Sequence, residues 1–238
     1  AFTQSKPHIQ DMIRFSPILL ALLYGLGMYW FSTMRLRKAL DAQSAELLDP
    51  SLQPVLNNMA KALGVDRVKV HLYEVDPVNG LASPDGRIFI TRGFYNKYKS
   101  GDVCAEEIAA VIAHELGHIA LGHSRRRMID FSSQNAIRAA IGMILGRFLP
   151  GIGNWVANIF ANLLMAKLSR SDEYEADEYA SALLVKSGIG TKPQITLFEK
   201  LEALTGQTGS MPAWLLSHPA TEDRIKTIQK REHKWQGN

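Results

Sequence analysis

Residues 114–118 read His-Glu-Leu-Gly-His, inside an apolar-periodic run from Val103 to His123. Ile108, Val111, Ile112, Leu116 and Ile119 recur at helical spacing and predict one core-facing stripe. Asp102 is the predicted N-cap, and Glu106 and Glu107 fall in the first turn, where the helix dipole favours them. Positions four apart are neighbours on one helix face, so His114 and His118 can offer two imidazoles to one metal ion. Glu115 lies about 100° round the helix, beside the metal rather than on it. Two neutral nitrogens with a carboxylate base at their side is the layout that metal-assisted hydrolysis requires. The plainer alternative is a pair of histidines filling a half-buried face.

The 238 residues are 46% hydrophobic and 21% charged, which suits one globular domain with a sizeable core plus a further segment. Net charge is +4 and the pI is about 9.1. No aromatic-interleaved basic motif accompanies this charge, so nucleic acid is not an expected partner. An anionic membrane surface fits at least as well. The single cysteine, Cys104, excludes an intramolecular disulfide and a Cys-rich zinc module. At a helix start it is either a reactive thiol or a small buried side chain, and burial is the expectation.

Phe15 to Met34, between Arg14 and Arg35, is a run of 20 residues without a charge. A helix of that length spans roughly 30 Å, the thickness of a bilayer's hydrocarbon core. Tyr29 and Trp30 suit an interface, and Pro17 suits a first turn. A single-pass membrane anchor touching lipid through residues 15–34 is expected; a buried helix of a soluble domain is the alternative. Lys6 and Arg14 on one flank nearly balance Arg35, Arg37 and Lys38 on the other, which leaves orientation open. The expected division is a tail and anchor helix over residues 1–44 and a catalytic domain over 45–238.

Leu52 to Leu63 predicts a short amphipathic helix closed by Gly64. Val68 to Val75 alternates as a strand. Turn signals at Asn79-Gly80 and Asp85-Gly86 bracket Leu81, Ala82 and Ser83, and Arg87 to Thr91 follow. These predict a small antiparallel sheet. Its edge strand at Leu81, Ala82 and Ser83 could pair with an extended peptide or lie under a loop. Ser124 to Arg127 reads as a solvated basic face or a headgroup contact. Residues 129–166, broken by Arg138, Arg147 and Pro150-Gly151, predict a helix–turn–helix packed on the domain or the bilayer rather than two crossings. Helices over about Asn154–Lys186 and Pro193–Leu204, and a last one starting near His218-Pro219, complete the chain. The fold class is mainly α with a small sheet (α+β).

A hydrolytic zinc centre takes three protein ligands and leaves one position open. Ser124 stands where a metzincin has its third histidine, so that class is excluded. His123 is nine residues from His114, half a helical turn away in angle, and points elsewhere unless the helix ends at Gly122. Glu173, Asp177 and Arg170 share a face of a predicted helix. They read equally well as a ligand, an orienting carboxylate and a cation for developing charge, or as a solvated acidic face.

Three motifs accompany His114-Glu115-x-x-His118. They are Asn79 to Gly93 before it, Ser169-Arg170 with Glu173-Tyr174 and Ala176-Asp177 after it, and Ser217-His218-Pro219 with Asp223-Arg224-Ile225. From about Ala45 to Lys230 the set resembles the gluzincin metallopeptidase family that contains HtpX, the type I CAAX prenyl proteases, BepA and LoiP. The single-domain BepA- and LoiP-like members resemble it most. The edge segment departs from the family pattern at Gly80, Leu81 and Asp85. The resemblance implies a zincin-like domain behind an N-terminal hydrophobic helix. It implies one Zn2+ per chain held by His114, His118 and Glu173, with Glu115 as the base and Asp177 behind an imidazole, that of His114. It further implies that Arg170 and His218 stand near the scissile carbonyl. His218 keeps three readings: transition-state donor, inhibitory fourth ligand, or structural residue at a helix start. His8, His71 and His233 have no partner pattern and are expected at the surface. The expected function is a membrane-anchored zinc endopeptidase hydrolysing unfolded or damaged membrane and envelope proteins, that is, protein quality control. One rival is a protease-like assembly or binding factor with a structural or self-inhibited zinc; another is a peripheral lipid-binding helical protein.

Overall fold

The structure, a computed structural model, describes residues 9–123, 125–126, 153–208, 212–219 and 222–236. Side chains are described for residues 23–123, 125–126, 170–203, 212–219 and 222–232. In chain order the elements are α1 (Ile9–Ala42), β1 (Ser44–Glu46), α2 (Gln53–Leu63), β2 (Val70–Tyr73), β3 (Gly80–Ala82), β4 (Ile88–Thr91), α3 (Arg92–Lys99) and α4 (Ala105–Ala120). Then come α5 (Gly153–Lys186), α6 (Lys192–Thr208), α7 (Ala213–Ser217) and α8 (Glu222–Gln236). The described residues fall into two units, one within residues 1–38 and 126–166, the other within 39–125 and 167–238.

In the first unit the uncharged run falls within α1, and Leu23, Tyr24, Leu26, Trp30 and Phe31 are exposed there. Among the described residues no helix is long and apolar enough to cross a membrane. The helix–turn–helix expected over 129–166 lies outside the described residues up to 152, and the backbone from 153 onward is α5.

In the second unit the sheet is mixed, with strand order β1-β2-β4-β3. This corrects the antiparallel expectation. β3 and β4 form the antiparallel hairpin that the turn signals encode, with Leu81 opposite Phe89. β2, however, runs parallel to β4, with Leu72 opposite Ile90. Turn chemistry specifies a hairpin but not which strand lies next to it. β4 is buried at all four positions, as a central strand should be. The predicted edge strand is displaced by one residue, because Ser83 belongs to the turn: its N–H bonds the Arg87 carbonyl and its own carbonyl accepts from Gly86.

α2 ends as predicted, with Gly64 at φ 72° in the left-handed region. α4 starts at Cys104 rather than Asp102, since the Glu107 carboxylate reaches back to the Cys104 N–H at 2.9 Å. Cys104 is exposed, contrary to its expected burial. Partial desolvation raises its thiol pKa, the opposite of what a reactive thiolate needs. The stripe from Ile108 to Ile112 is buried with Met59, Ile90, Leu184 and Phe198 in one core. A Cβ on Gly117 would come within 3.0 Å of the Ala176 backbone. A hydrogen at that position therefore lets α4 and α5 close together, and Ala176 lies between Glu173 and Asp177.

Candidate active site

The α4–α5 contact sets two imidazoles from one helix against two carboxylates from the other. His114 and His118 turn their Nε2 atoms toward each other at 3.1 Å, with the rings nearly perpendicular at 87°. Glu173 comes up between them, its oxygens 3.3 Å from His114 Nε2 and 3.5 Å from His118 Nε2. At the C-terminal cap of α7, His218 adds Nδ1 at 2.9 Å from Glu173 and 3.4 Å from His114 Nε2. These four buried residues offer ligand atoms that all lie within 4.8 Å of one another. Two or three imidazole nitrogens with one carboxylate is a donor set that suits a zinc ion, so the residues fit the expected metal.

The His114 ring is backed by a carboxylate network. His114 Nδ1 lies 3.1 Å from Asp177 Oδ1. Asp177 is gripped in turn by Arg224, whose Nε and Nη2 donate to its two oxygens at 2.7 and 2.8 Å. Gln194 donates to the same carboxylate at 3.4 Å and accepts from the Ser181 hydroxyl. Arg224 Nη1 also lies 3.4 Å from Glu173, and its guanidinium covers the Phe198 ring at 4.9 Å.

These contacts decide the protonation states. Burial alone would push the His114 imidazole down, but the Asp177 and Glu173 carboxylates outweigh it and hold the pKa at about 9. Burial alone would raise Glu173, yet His114 and His218 hold it well below the usual carboxylate range. Asp177 is likewise lowered against desolvation, chiefly by Arg224. In the metal-free protein the two carboxylates thus favour a proton on His114, which a metal ion would have to displace.

Glu115 is buried on the neighbouring face of α4. The Trp214 indole N–H donates to its Oε1 at 3.3 Å, and His218 Nε2 is 3.6 Å from the same oxygen. The edge strand passes beside it: a Cβ on Gly80 would sit 2.5 Å from Val111 Cγ1 and 3.8 Å from Glu115 Cγ. Just before β3, the Val78 carbonyl accepts from the Trp214 N–H at 3.0 Å.

The structure thus brings together His114, Glu115, His118, Glu173, Asp177 and His218. Arg170 is exposed, and the guanidinium that meets Glu173 and Asp177 is that of Arg224. Arg224 stood in a recognised motif without an expected role; Trp214 had no signal beyond its position one helical turn before His218. His123 does fold back on the site, because α4 ends before Gly122, but its ring meets His118 from behind. His71 is half-buried and packs on Phe89 at 5.2 Å; His8 and the His233 side chain lie outside the described residues.

Residues 46–232 match peptidase family M48. Metalloprotease LoiP of Escherichia coli (strain K12) is 30% identical over 183 residues, covering 76% of this chain and 69% of its own. Metalloprotease YcaL of the same strain is 33% identical over 180 residues, covering 74% and 68%. Protease HtpX of Stutzerimonas stutzeri is 24% identical over 241 residues, covering 85% and 80%.

Proposed function

This chain belongs to peptidase family M48 and is a metallopeptidase, and from that premise we propose a membrane-associated, zinc-dependent endopeptidase acting on unfolded or damaged membrane and envelope proteins. The observation that carries the reading is the convergence of His114 Nε2, His118 Nε2 and Glu173 with Glu115 alongside. Zinc bound there would polarise a peptide carbonyl and bring the pKa of water towards about 7. Glu115 takes the proton of the attacking water and delivers it to the leaving amine. His218, with Nε2 facing Glu115, is placed to donate to the oxygen that gains charge. A substrate strand added along β3 would run beside Glu115, and main-chain pairing would admit many sequences. Leu81 and Ala82 would supply that pairing, with Ser83 fixing the turn.

Membrane association is supported by the uncharged run in α1 and its exposed Leu23, Tyr24, Leu26, Trp30 and Phe31. The test is metal analysis together with cleavage of casein by the full chain, with and without a chelator. One zinc per chain and chelator-sensitive cleavage are expected; equal cleavage in both arms overturns the mechanism. Flotation of the full chain with vesicles tests the anchor, and failure to float removes it.

His218 favours a second reading. With His218 Nδ1 in the group, four donors close a tetrahedral site, which is the pattern of a structural or self-inhibited zinc. His218→Ala separates the two: cleavage that rises marks an inhibitory ligand, and cleavage that falls marks a catalytic donor.

A further inference from the structure

α4 ends at Ala120, and Gly122 takes φ 72°, in the left-handed region that favours glycine. That turn folds His123 back, fully buried at 0% exposure. Its Nδ1 comes to 3.0 Å from His118 Nδ1, with the rings 5.2 Å apart. On the opposite side its Nε2 lies 3.2 Å from Glu175 Oε2 and 3.7 Å from Asp172 Oδ1. His118 Nε2 meanwhile faces His114 and Glu173.

One arrangement of hydrogens satisfies all these contacts. A neutral imidazole carries a single N–H. If His118 gives Nε2 to a metal, its hydrogen sits on Nδ1 and needs an acceptor. The atom facing it is His123 Nδ1. His123 then carries its own hydrogen on Nε2, where it donates to Glu175. Because the His114 and His118 rings are nearly perpendicular, their rear nitrogens point to different elements, and Asp177 cannot serve both.

We propose that His123 is a positioning residue for His118: it relays the Glu175 carboxylate through its ring and fixes which nitrogen His118 presents to the metal. Behind His114 the facing group is instead the Asp177 carboxylate, 3.1 Å from Nδ1. The inference rests on the zinc reading above.

The test titrates the metal-free full chain with zinc against a chelator of known affinity. His123→Leu sets carbon against the His118 N–H and is expected to weaken zinc binding about 10–100-fold. His123→Asn, whose Oδ1 replaces the ring acceptor, is expected to bind about tenfold tighter than His123→Leu. Wild-type affinity in His123→Leu overturns the positioning role, as does an equal loss in both variants. A wild-type chain that takes up no zinc overturns the zinc reading instead, and this inference with it. If His123→Leu does not fold, long-range 1H–15N spectra of the zinc-loaded wild type decide. His123, identified by the signals lost in His123→Asn, should carry its hydrogen on Nε2; a hydrogen on Nδ1 overturns the relay.

Discussion

The floor of the site and its rim are built differently. The floor is α4, α5 and Arg224 of α8. Its charged and polar side chains, His114, His118, Glu173, Asp177 and Arg224, are each at most 4% exposed. Each also leans on at least one of the others. The rim is β3, a strand of three residues, and α7, a helix of five, joined by the Trp214 N–H to the Val78 carbonyl. Buried polar networks stand or fall together, whereas short elements with few shared bonds open at low cost. Altering the floor one residue at a time should therefore disturb all of it, whereas the effect of a change in the rim should stay local.

The largest effect expected is on turnover. Glu115→Gln keeps the shape of the floor but cannot take a proton, so kcat should fall about 10²–10⁴-fold with zinc content unchanged. A steady-state assay beside metal analysis checks this, and near wild-type turnover would remove Glu115 from its role. Next comes Arg224→Met, which leaves Glu173 and Asp177 buried without their cation. Denaturant unfolding should show a loss of about 3–5 kcal/mol; a loss below about 1 kcal/mol would mean that the floor is not interdependent.

The third prediction concerns pH. The folded-state pKa of His114, about 9, lies above the ordinary value of about 6.5. Its contribution to the stability of the metal-free protein is thus fully present below about pH 6.5 and is lost as pH rises through about 9. Metal must displace that proton, so zinc loading at pH 7.5 should release about one proton from His114. Calorimetry in buffers of different ionisation enthalpy measures it, and no proton release would contradict the floor's electrostatics. The smallest effect belongs to the rim. Trp214→Phe keeps the ring and removes the N–H to Glu115, and should cost about 1 kcal/mol or less in stability. A cost as large as that of Arg224→Met would erase the distinction between floor and rim.

Much of the floor was legible because its signals are local. Helical period placed α4 and α5, and four-residue spacings paired His114 with His118 and Glu173 with Asp177. What escaped was set by contacts distant in sequence. Strand order was one case, since β2 pairs with β4 and skips β3, the next strand in the chain. α3 was another, an eight-residue helix with Phe94 as its buried anchor, too short for a period to show. Shared helix face nominated Arg170 as a cation for developing charge, but no local spacing announced that Arg224, 47 positions away, would meet Asp177. His123 stays out of the group of ligand atoms, as its spacing from His114 implied, but the turn at Gly122 brings it against the back of His118, which the helical spacing could not show.

Arg224 sits in the last described helix, behind every other member of the floor in chain order. During synthesis, both histidines, Glu115 and Glu173 leave the ribosome before the cation that neutralises Asp177 and Glu173 does. Until then two neighbouring carboxylates would have to be buried with no guanidinium between them, which disfavours closure of α4 on α5. Closure of α4 on α5 is therefore tied to the arrival of α8, the last of the floor's contributors in chain order.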